Sequence, residues 1–295
     1  MKKIVLCALA VLFTLCRIFP PQKNKVVLLR RFPQWGSLGL LGDCLRENAN
    51  LRIVLIENWR KLSTVYHLAT AGTIFLNDGF SPLAKFPFSK RARVVQLWHA
   101  DGALKKWGTA NGEPFPESNR YTHVICATPA IAPHWAQAFG VPRDRVLPLG
   151  SPMGDVLIGR QAMGDKILYA PSLGEPLPLN LPNLHVRRHP KDAPAQENLL
   201  DLLRQCKCVI TDVSSIMVHA AALDIPVILF NPDETCFFED ICTRPPGAIV
   251  HSLDELHEEL ANPGDYSAQR RAFVQHHLGT CDGSTCARII EEFFG

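Results

Sequence analysis

Three short stretches of this 295-residue sequence carry side chains that could do chemistry. The first is VVQLWHADGALKKWG, residues 94–108, in which His99 directly follows an apolar run typical of a buried strand. A histidine titrates near neutral pH and can take a proton from an attacking hydroxyl group. We therefore predict a general-base role for His99. Lys105 and Lys106 are either phosphate contacts or part of a solvated face.

The second stretch is HVRRHP, residues 185–190, which ends a predicted strand with three cationic or titratable side chains. Arg187 and Arg188 add positive charge, and strand alternation predicts that one of them faces inward. His189 closes the strand, and we expect it to face His99 across a cleft. The alternative for His189 is a structural or merely exposed histidine.

The third stretch, CVITDVSSIMVHAAALDIPVILF, residues 208–230, gives the strongest local pattern. A buried strand ends at Asp212, and Ser214 and Ser215 then open an apolar helix that runs to about Leu223. Serine at a helix start caps free N–H groups, and the same groups attract anions. The turn is therefore either a plain helix cap or part of a phosphate site.

These stretches lie within a regular alternation of short apolar strands and helix-like segments. Continuous apolar strands separated by helices are typical of parallel sheets covered on both faces. We predict an α/β protein with two Rossmann-like domains, residues 23–157 and 158–295, that face a cleft. The predicted strands are Lys25–Arg30, Arg52–Glu57, Thr73–Asn77, Val94–Trp98, His123–Ala127, Val146–Leu149, Lys166–Ala170, His185–Arg188, Val209–Asp212, Val227–Phe230 and Ala248–Val250.

No pattern in the sequence predicts a metal or a resident cofactor. There is no Gly-rich Walker or Rossmann loop and no HExxH motif. The ten cysteines form no recognisable framework, since Cys206 and Cys208 are two apart and Cys281 and Cys286 are five apart. We predict reduced cysteines that pack as small apolar side chains, which favours a cytosolic catalytic body.

The charge is distributed unevenly along the chain, although the formal net charge is only +3. Residues 1–42 hold seven lysines and arginines and no acid, so the rest of the chain has 24 cations against 28 acids. The small net charge gives no sign of a nucleic-acid binder. A 47% hydrophobic composition excludes disorder, and the lack of a run of 18 apolar residues excludes a polytopic membrane protein.

The cationic leader surrounds the most apolar segment of the chain, Ile4 to Cys16. We predict that residues 1–22 form a short membrane-associating helix, because anionic lipids of the cytoplasmic leaflet attract flanking Lys and Arg. The predicted location is the cell membrane, peripheral, on its cytoplasmic side. A cleaved signal peptide and a buried helix remain the alternatives.

Taken in order, these motifs resemble the CDP-glycerol glycerophosphotransferase family of wall teichoic acid synthesis. The resemblance extends over nearly the whole chain after residue 18. The motifs that carry it are RIFPPQKNKVVLL, TAGTIFLND, QLWHADGALKKWG, GSPMGDVL, ILYAPS, RRHP, ITDVSS, DIPVILFNPD and CDGSTCARII. Each is modest alone, but their order and spacing are specific.

The resemblance implies a GT-B fold and transfer of glycerol phosphate or ribitol phosphate from a CDP-activated donor to a prenyl-diphosphate-linked saccharide, with release of CMP. It implies that His99 is the base and that His189 shares the catalytic site. It needs no metal and no cofactor beyond the CDP-linked substrate. The donor-binding residues that it implies are Pro171, Ser172, Arg187, Arg188, His189, Asp212, Ser214 and Ser215.

Several positions depart from the family pattern. Met153 replaces an arginine, Gly174 and Glu175 stand where an aromatic residue and an arginine are usual, Val213 replaces tyrosine, and His219 replaces aspartate; Ala100 replaces a glycine. The loss of two phosphate-facing cations leaves two other functions open. One is a GT-B glycosyltransferase that uses a nucleotide sugar, and the other is a non-enzymatic scaffold. The identities of the polyol and of the acceptor also stay open, as does the question of whether the protein adds one unit or many.

Overall fold

The computed structural model describes residues 2–31, 36–57, 61–157, 164–172, 177–188 and 198–295. It divides into two compact units. The first holds residues 1–100, 107–153 and 283–295, and the second holds residues 101–106 and 154–282. Among the predicted site residues and departures, His189, Gly174 and Glu175 lie outside the described part of the chain.

The first unit is built on a six-stranded parallel sheet. Its order is β2-β1-β3-β4-β5-β6. The central strand β3 is buried along its whole length, as expected for a parallel sheet covered on both faces. The strands are β1 (Gln22–Leu29), β2 (Arg52–Ile56), β3 (Ala71–Leu76), β4 (Arg93–Gln96), β5 (His123–Cys126) and β6 (Val146–Pro148). The helices are α1 (Lys2–Cys16), α2 (Ser37–Arg46), α3 (Leu62–Ala69) and α4 (Ala132–Phe139).

The second unit is built on a five-stranded parallel sheet of order β11-β10-β9-β7-β8. A helix α5 (Pro152–Leu157) spans the point where the chain passes into this unit. The strands are β7 (Lys166–Ala170), β8 (Leu184–Val186), β9 (Cys206–Thr211), β10 (Val227–Phe230) and β11 (Ala248–Val250). The helices are α6 (Leu199–Leu203), α7 (Ile216–Ala222), α8 (Leu253–Ala261) and α9 (Ser267–His277).

All eleven predicted strands are present, and the prediction of two parallel α/β sheets is confirmed. The division of the chain differs from the predicted one at four places. Residues 2–22 are part of the first unit, and residues 154–157 are part of the second. Residues 101–106 belong to the second unit, and the last helix, α10 (Thr285–Phe294), belongs to the first. The ring of Phe293 on α10 meets Phe75 of β3 edge-on at 5.5 Å. An apolar helix face predicts burial, but the sequence does not say against which sheet.

Helix α1 is half-buried against the first unit. Phe13 is fully buried, with its ring stacked on Phe86 at 4.7 Å and edge-on to Phe88 at 5.0 Å. The opposite face leaves large apolar side chains in solvent, including Val11 and Leu15. Within the described residues, no helix has both the length and the apolar character required to cross a bilayer. The predicted membrane association of this helix stays a prediction.

Candidate functional site

His99 lies beside a carboxylate at the carboxyl ends of neighbouring strands in the first unit. Asp78 follows β3, and His99 follows β4, which pairs with β3. Oδ1 of Asp78 is 3.7 Å from Nδ1 of His99, and Oδ2 of Asp78 is 3.2 Å from Nη1 of Arg31, which follows β1. The His99 side chain is 42% exposed, whereas that of Asp78 is only 11% exposed. His99 is therefore accessible to a substrate, and the mostly buried Asp78 contacts the imidazole of His99 on its protein-facing side.

The residue before His99 has an unusual backbone conformation. Trp98 has φ +64°, a region in which a bulky residue is strained by about 1–3 kcal/mol. Packing offsets this cost, because the Trp98 ring stacks on Trp107 at 6.0 Å and meets Phe115 and Phe139 edge-on at 5.5 and 5.3 Å. The aromatic cluster fixes the direction in which the chain presents His99.

In the second unit, Asp212 links two predicted donor-binding segments. It follows β9, and its two carboxylate oxygens accept the N–H of Ser172 at 2.9 and 2.8 Å. The Val213 N–H also donates to Asp212 Oδ1, at 2.5 Å. Pro171 and Ser172 follow β7, the strand that pairs with β9. The structure thus brings Pro171, Ser172 and Asp212 together, with Asp212 fixing the loop after β7.

The two predicted arginines follow β8, on the other side of β7. The Arg187 N–H donates to the carbonyl of Tyr169 at 2.9 Å, which continues the pairing of the two strands. Arg187 is half-buried and Arg188 is exposed, so one of the two faces inward as the alternation predicts. Burial raises the pKa of Tyr169, which keeps its phenol protonated. Because β7 and β8 are parallel, the arginines that follow β8 lie at the same edge of the sheet as Ser172, which follows β7.

The Ser214–Ser215 turn is present where the sequence predicts it. Helix α7 begins at Ile216, and the Ser214 hydroxyl accepts the Ile216 N–H at 3.4 Å. The Ser215 side chain makes no cap hydrogen bond. Helix capping therefore does not explain the serine at position 215, because its hydroxyl group makes no cap hydrogen bond.

Two acidic residues that bear on these segments were not predicted from the sequence. Asp78 ends TAGTIFLND, and an acid directly after an apolar strand was the available signal. Asp101 pairs with His219 of α7, with 2.8 Å between Oδ2 and Nε2 and side chains only 13% and 10% exposed. His219 is a position at which the sequence departs from the family pattern, so its partner could not be read from that pattern.

The other described departures are apolar: Ala100 is half-buried and two are buried. Met153 and Val213 are 7% and 1% exposed, respectively, so both pack in the interior. Cys126 and Cys208 are also buried, and burial raises the pKa of each thiol to about 12. Such thiols act as small apolar side chains, as the sequence predicts.

One group of side chains in the described part of the chain could hold a metal ion. It consists of Glu234, Asp240 and Cys242, all of which are exposed, and it contains none of the predicted site residues. Exposed acidic groups of this kind are common without an ion. The metal-free reaction stays a prediction.

The two parallel-sheet units define an α/β protein with two Rossmann-like domains, and solved structures share this fold. A wall teichoic acid polymerase, TagF, superposes with a TM-score of 0.77 at 16% identity, covering 99% of this chain and 94% of that one. A UDP-GlcNAc 2-epimerase from Neisseria meningitidis gives 0.56 at 11% identity, with 91% and 98% covered. At these identities the likeness shows the fold alone.

Residues 50–172 and 182–295 match the CDP-glycerol:poly(glycerophosphate) glycerophosphotransferase family, and the chain belongs to that family. The predicted family and the predicted enzyme class, a transferase of polyol phosphate, are thereby confirmed.

Individual relatives are similar at lower identity. The chain is 26% identical to a teichoic acid ribitol-phosphate primase of Bacillus spizizenii, covering 94% of this chain and 92% of the primase. It is 21% identical to a teichoic acid glycerol-phosphate primase of Bacillus subtilis, with 78% and 75% covered. It is 24% identical to a poly(ribitol-phosphate) polymerase of Bacillus spizizenii, but spans only 57% of that protein.

Proposed function

We propose that this protein transfers a polyol phosphate from a CDP-activated donor to a lipid-linked saccharide and releases CMP. In the reaction, the acceptor hydroxyl oxygen attacks the phosphorus that bears the polyol. A new P–O bond forms, the P–O bond to the CMP phosphate breaks, and CMP leaves with the bonding electron pair. The hydroxyl proton passes to Nε2 of His99. Such transfers depend on positioning and on stabilisation of negative charge.

The observation that carries this proposal is the pairing of an accessible His99 with a mostly buried Asp78. A carboxylate beside Nδ1 favours the tautomer with its proton on Nδ1, which leaves the Nε2 lone pair available as a base. The same carboxylate stabilises the imidazolium that forms when the proton arrives. Arg31, on the second oxygen of Asp78, helps to hold that carboxylate in place.

The donor pyrophosphate is assigned to the edge of the second sheet. Arg187 and Arg188 supply positive charge after β8, and His189 follows them in the sequence, while Ser214 and Ser215 supply hydroxyl groups after β9. What supports this assignment is the Asp212–Ser172 link, which holds the loops after β7 and β9 in register. His189 enters on the family motif alone.

We propose that the N-terminal helix brings the enzyme to its acceptor. A prenyl-linked acceptor resides in a membrane, so the enzyme must work at the surface of the bilayer. The exposed face of α1, with Val11 62% and Leu15 57% exposed, supports peripheral association with the cytoplasmic leaflet. We propose that this face enters the interfacial region while the opposite face stays packed on Phe86 and Phe88.

The test is a product assay with the full chain in detergent or vesicles. CDP-ribitol is tried first, because identity is higher to the ribitol-phosphate primase, and CDP-glycerol second. A prenyl-diphosphate disaccharide serves as acceptor, and CMP is the product expected. Release of UDP or GDP from nucleotide sugars would instead establish a glycosyltransferase. A lack of stabilisation by CDP, CMP, UDP or GDP in thermal unfolding would favour the scaffold.

The base is tested by His99→Ala, for which we expect kcat to fall by about 10²–10⁴-fold, the usual contribution of general-base catalysis. His257→Ala is the matched control, because His257 lies exposed on α8. Full turnover by His99→Ala would remove His99 from the mechanism.

A further inference from the structure

A buried glutamine lies beneath the His99–Asp78 pair and has no role in the proposed chemistry. Gln96 is the last residue of β4 and is fully buried. Its Oε1 accepts the N–H of Trp98 at 2.8 Å, and its Nε2 donates to the carbonyl of Asp78 at 3.1 Å. One amide thus bonds to the backbone of Asp78 and to the residue before His99.

A second layer of hydrogen bonds agrees with the direction of this amide, which the Asp78 carbonyl and the Trp98 N–H already fix. Burial and the charge of Glu117 raise the pKa of Tyr121, so its phenol keeps its proton and donates to Glu117 Oε1 at 3.1 Å. The Tyr121 oxygen then accepts from Gln96 Nε2 at 3.3 Å. Because Nε2 is the donor on that side, Oε1 must face the Trp98 N–H. The donors and acceptors around the amide therefore determine its orientation.

Glu117 in turn secures the loop that carries Asp78. It is 1% exposed, and its Oε1 also accepts the N–H of Phe80, two residues after Asp78. The loop after β3 is thus held at the Asp78 carbonyl by Gln96 and at Phe80 by Glu117. The loop after β4 is held at Trp98, where the positive φ requires a compensating contact.

We propose that Gln96 is a positioning residue that sets the distance between Asp78 and His99. The inference rests on the proposed function, in which that pair is the general base. Gln96 does not touch the substrate in this scheme. It acts by joining the two loops through one planar group, so removal of its amide takes one shared hydrogen-bonding partner from both loops. A shift of about 1 Å in a catalytic group can cost a hundredfold in rate.

The test compares Gln96→Met, which keeps the length of the side chain but removes the amide, with Tyr121→Phe. Both remove hydrogen bonds from the same buried network, but Tyr121→Phe leaves both bonds from Gln96 to the loops. We expect kcat to fall by roughly 30- to 100-fold in Gln96→Met, with the KM of the CDP-linked donor within about threefold. We expect Tyr121→Phe to lose thermal stability and keep kcat within about threefold of wild type.

The decisive measurement places Gln96→Met in the His99→Ala background. If Gln96 acts through His99, the second substitution lowers the residual rate by less than about threefold, since the two residues form one unit. An equal fold-loss in both backgrounds would overturn the inference, as would wild-type kcat in Gln96→Met. If Gln96→Met fails to fold, Gln96→Glu retains the acceptor for Trp98 and loses the donor to Asp78. It is then expected to show the same non-additivity.

Failure of the inference and failure of the proposed function give different results. A wild-type enzyme that releases no CMP from either CDP-polyol would overturn the proposed function and the inference with it. A wild-type enzyme that releases CMP, together with Gln96 variants of full or additive activity, would overturn only the role of Gln96.

Discussion

Oδ1 of Asp78 lies 3.7 Å from Nδ1 of His99, where two neighbouring parallel strands end. This distance is longer than a hydrogen bond, so the interaction is electrostatic and has room to tighten when a substrate binds. Because Asp78 is mostly buried and also meets Arg31, its carboxylate has a fixed direction. The pair has the geometry of a general base with an orienting acid.

Asp78→Asn should lower kcat with little change in the KM of the donor. The substitution keeps the shape of the side chain but removes the charge that stabilises the imidazolium. We expect a loss of roughly 10- to 100-fold, or about 1.4–2.7 kcal/mol of transition-state stabilisation. Steady-state CMP release measures it. Asp43→Asn is the control, because Asp43 forms an exposed pair with Arg46 on α2. Equal activity of the two variants would argue against an orienting role for Asp78.

His219→Asp should destabilise the protein, although aspartate is the residue of the family pattern. It would set two carboxylates against each other in a site where the side chains of Asp101 and His219 are only 13% and 10% exposed. Breaking a buried pair in this way typically costs about 3 kcal/mol in the free energy of unfolding. Urea denaturation measures the loss, and His257→Asp on the exposed face of α8 is the control.

The charge-swapped variant Asp101→His with His219→Asp separates electrostatics from packing. It restores one acid and one imidazole in the same place, so we expect it to recover at least half of the lost stability. A double variant as unstable as His219→Asp alone would mean that shape, and not charge, decides at this position.

Substitutions on the exposed face of α1 should affect membrane binding, whereas substitutions on its buried face should affect stability. Val11→Glu with Leu15→Glu is expected to reduce sedimentation with anionic vesicles several-fold while leaving the unfolding temperature nearly unchanged. Phe13→Ala should do the reverse, because Phe13 is fully buried between aromatic rings and such truncations cost about 3–5 kcal/mol. Undiminished sedimentation of the double variant would contradict membrane contact through this face.

The burial of Phe13 also changes the expected effect of deleting the N-terminal segment. The sequence alone predicts that deletion of residues 1–19 releases the protein from membranes and leaves the fold intact. Because the deletion also removes Phe13 from its contacts with Phe86 and Phe88, we expect it to lower stability as well. The paired point variants are therefore the sharper experiment.

Lys25 should make stability depend on pH in the alkaline range. Burial and the charge of Arg52 lower its pKa from 10.5 to about 8, while its Nζ donates to Thr70 Oγ1 at 2.5 Å. Between about pH 8 and 10.5 the unfolded chain holds a proton that the folded chain has released. The free energy of unfolding therefore rises with pH across this window, by about 1–3 kcal/mol from this group.

Lys25→Met removes that contribution, so its stability relative to wild type should fall as the pH is raised from about 7.5 to 10.5. Lys23→Met, an exposed position on the same strand, is the matched control and should show no such trend. Denaturant titrations at several pH values give the comparison. A difference between Lys25→Met and wild type that is independent of pH would show that Lys25 keeps an ordinary pKa in the folded protein.

The sequence alone determined the elements and much of the site. Apolar runs bounded by polar residues predicted most strands in the described part of the chain, because a strand buried on both faces must be apolar throughout. His99, Arg187 and Asp212 were singled out because polar residues that follow the strands of a parallel sheet lie at the carboxyl edge of that sheet. Ser172 was singled out because ILYAPS resembles a motif of the family.

Only the tertiary structure decided which of these residues have partners. Hydrophobic periodicity does not show that Asp78 and Gln96 act together with His99. Their roles depend on loops that meet only in the folded protein. Asp101 with His219, and Phe293 with Phe75, join residues more than a hundred positions apart. A local pattern states that a side chain must be buried or paired, whereas the identity of its partner depends on how distant segments pack.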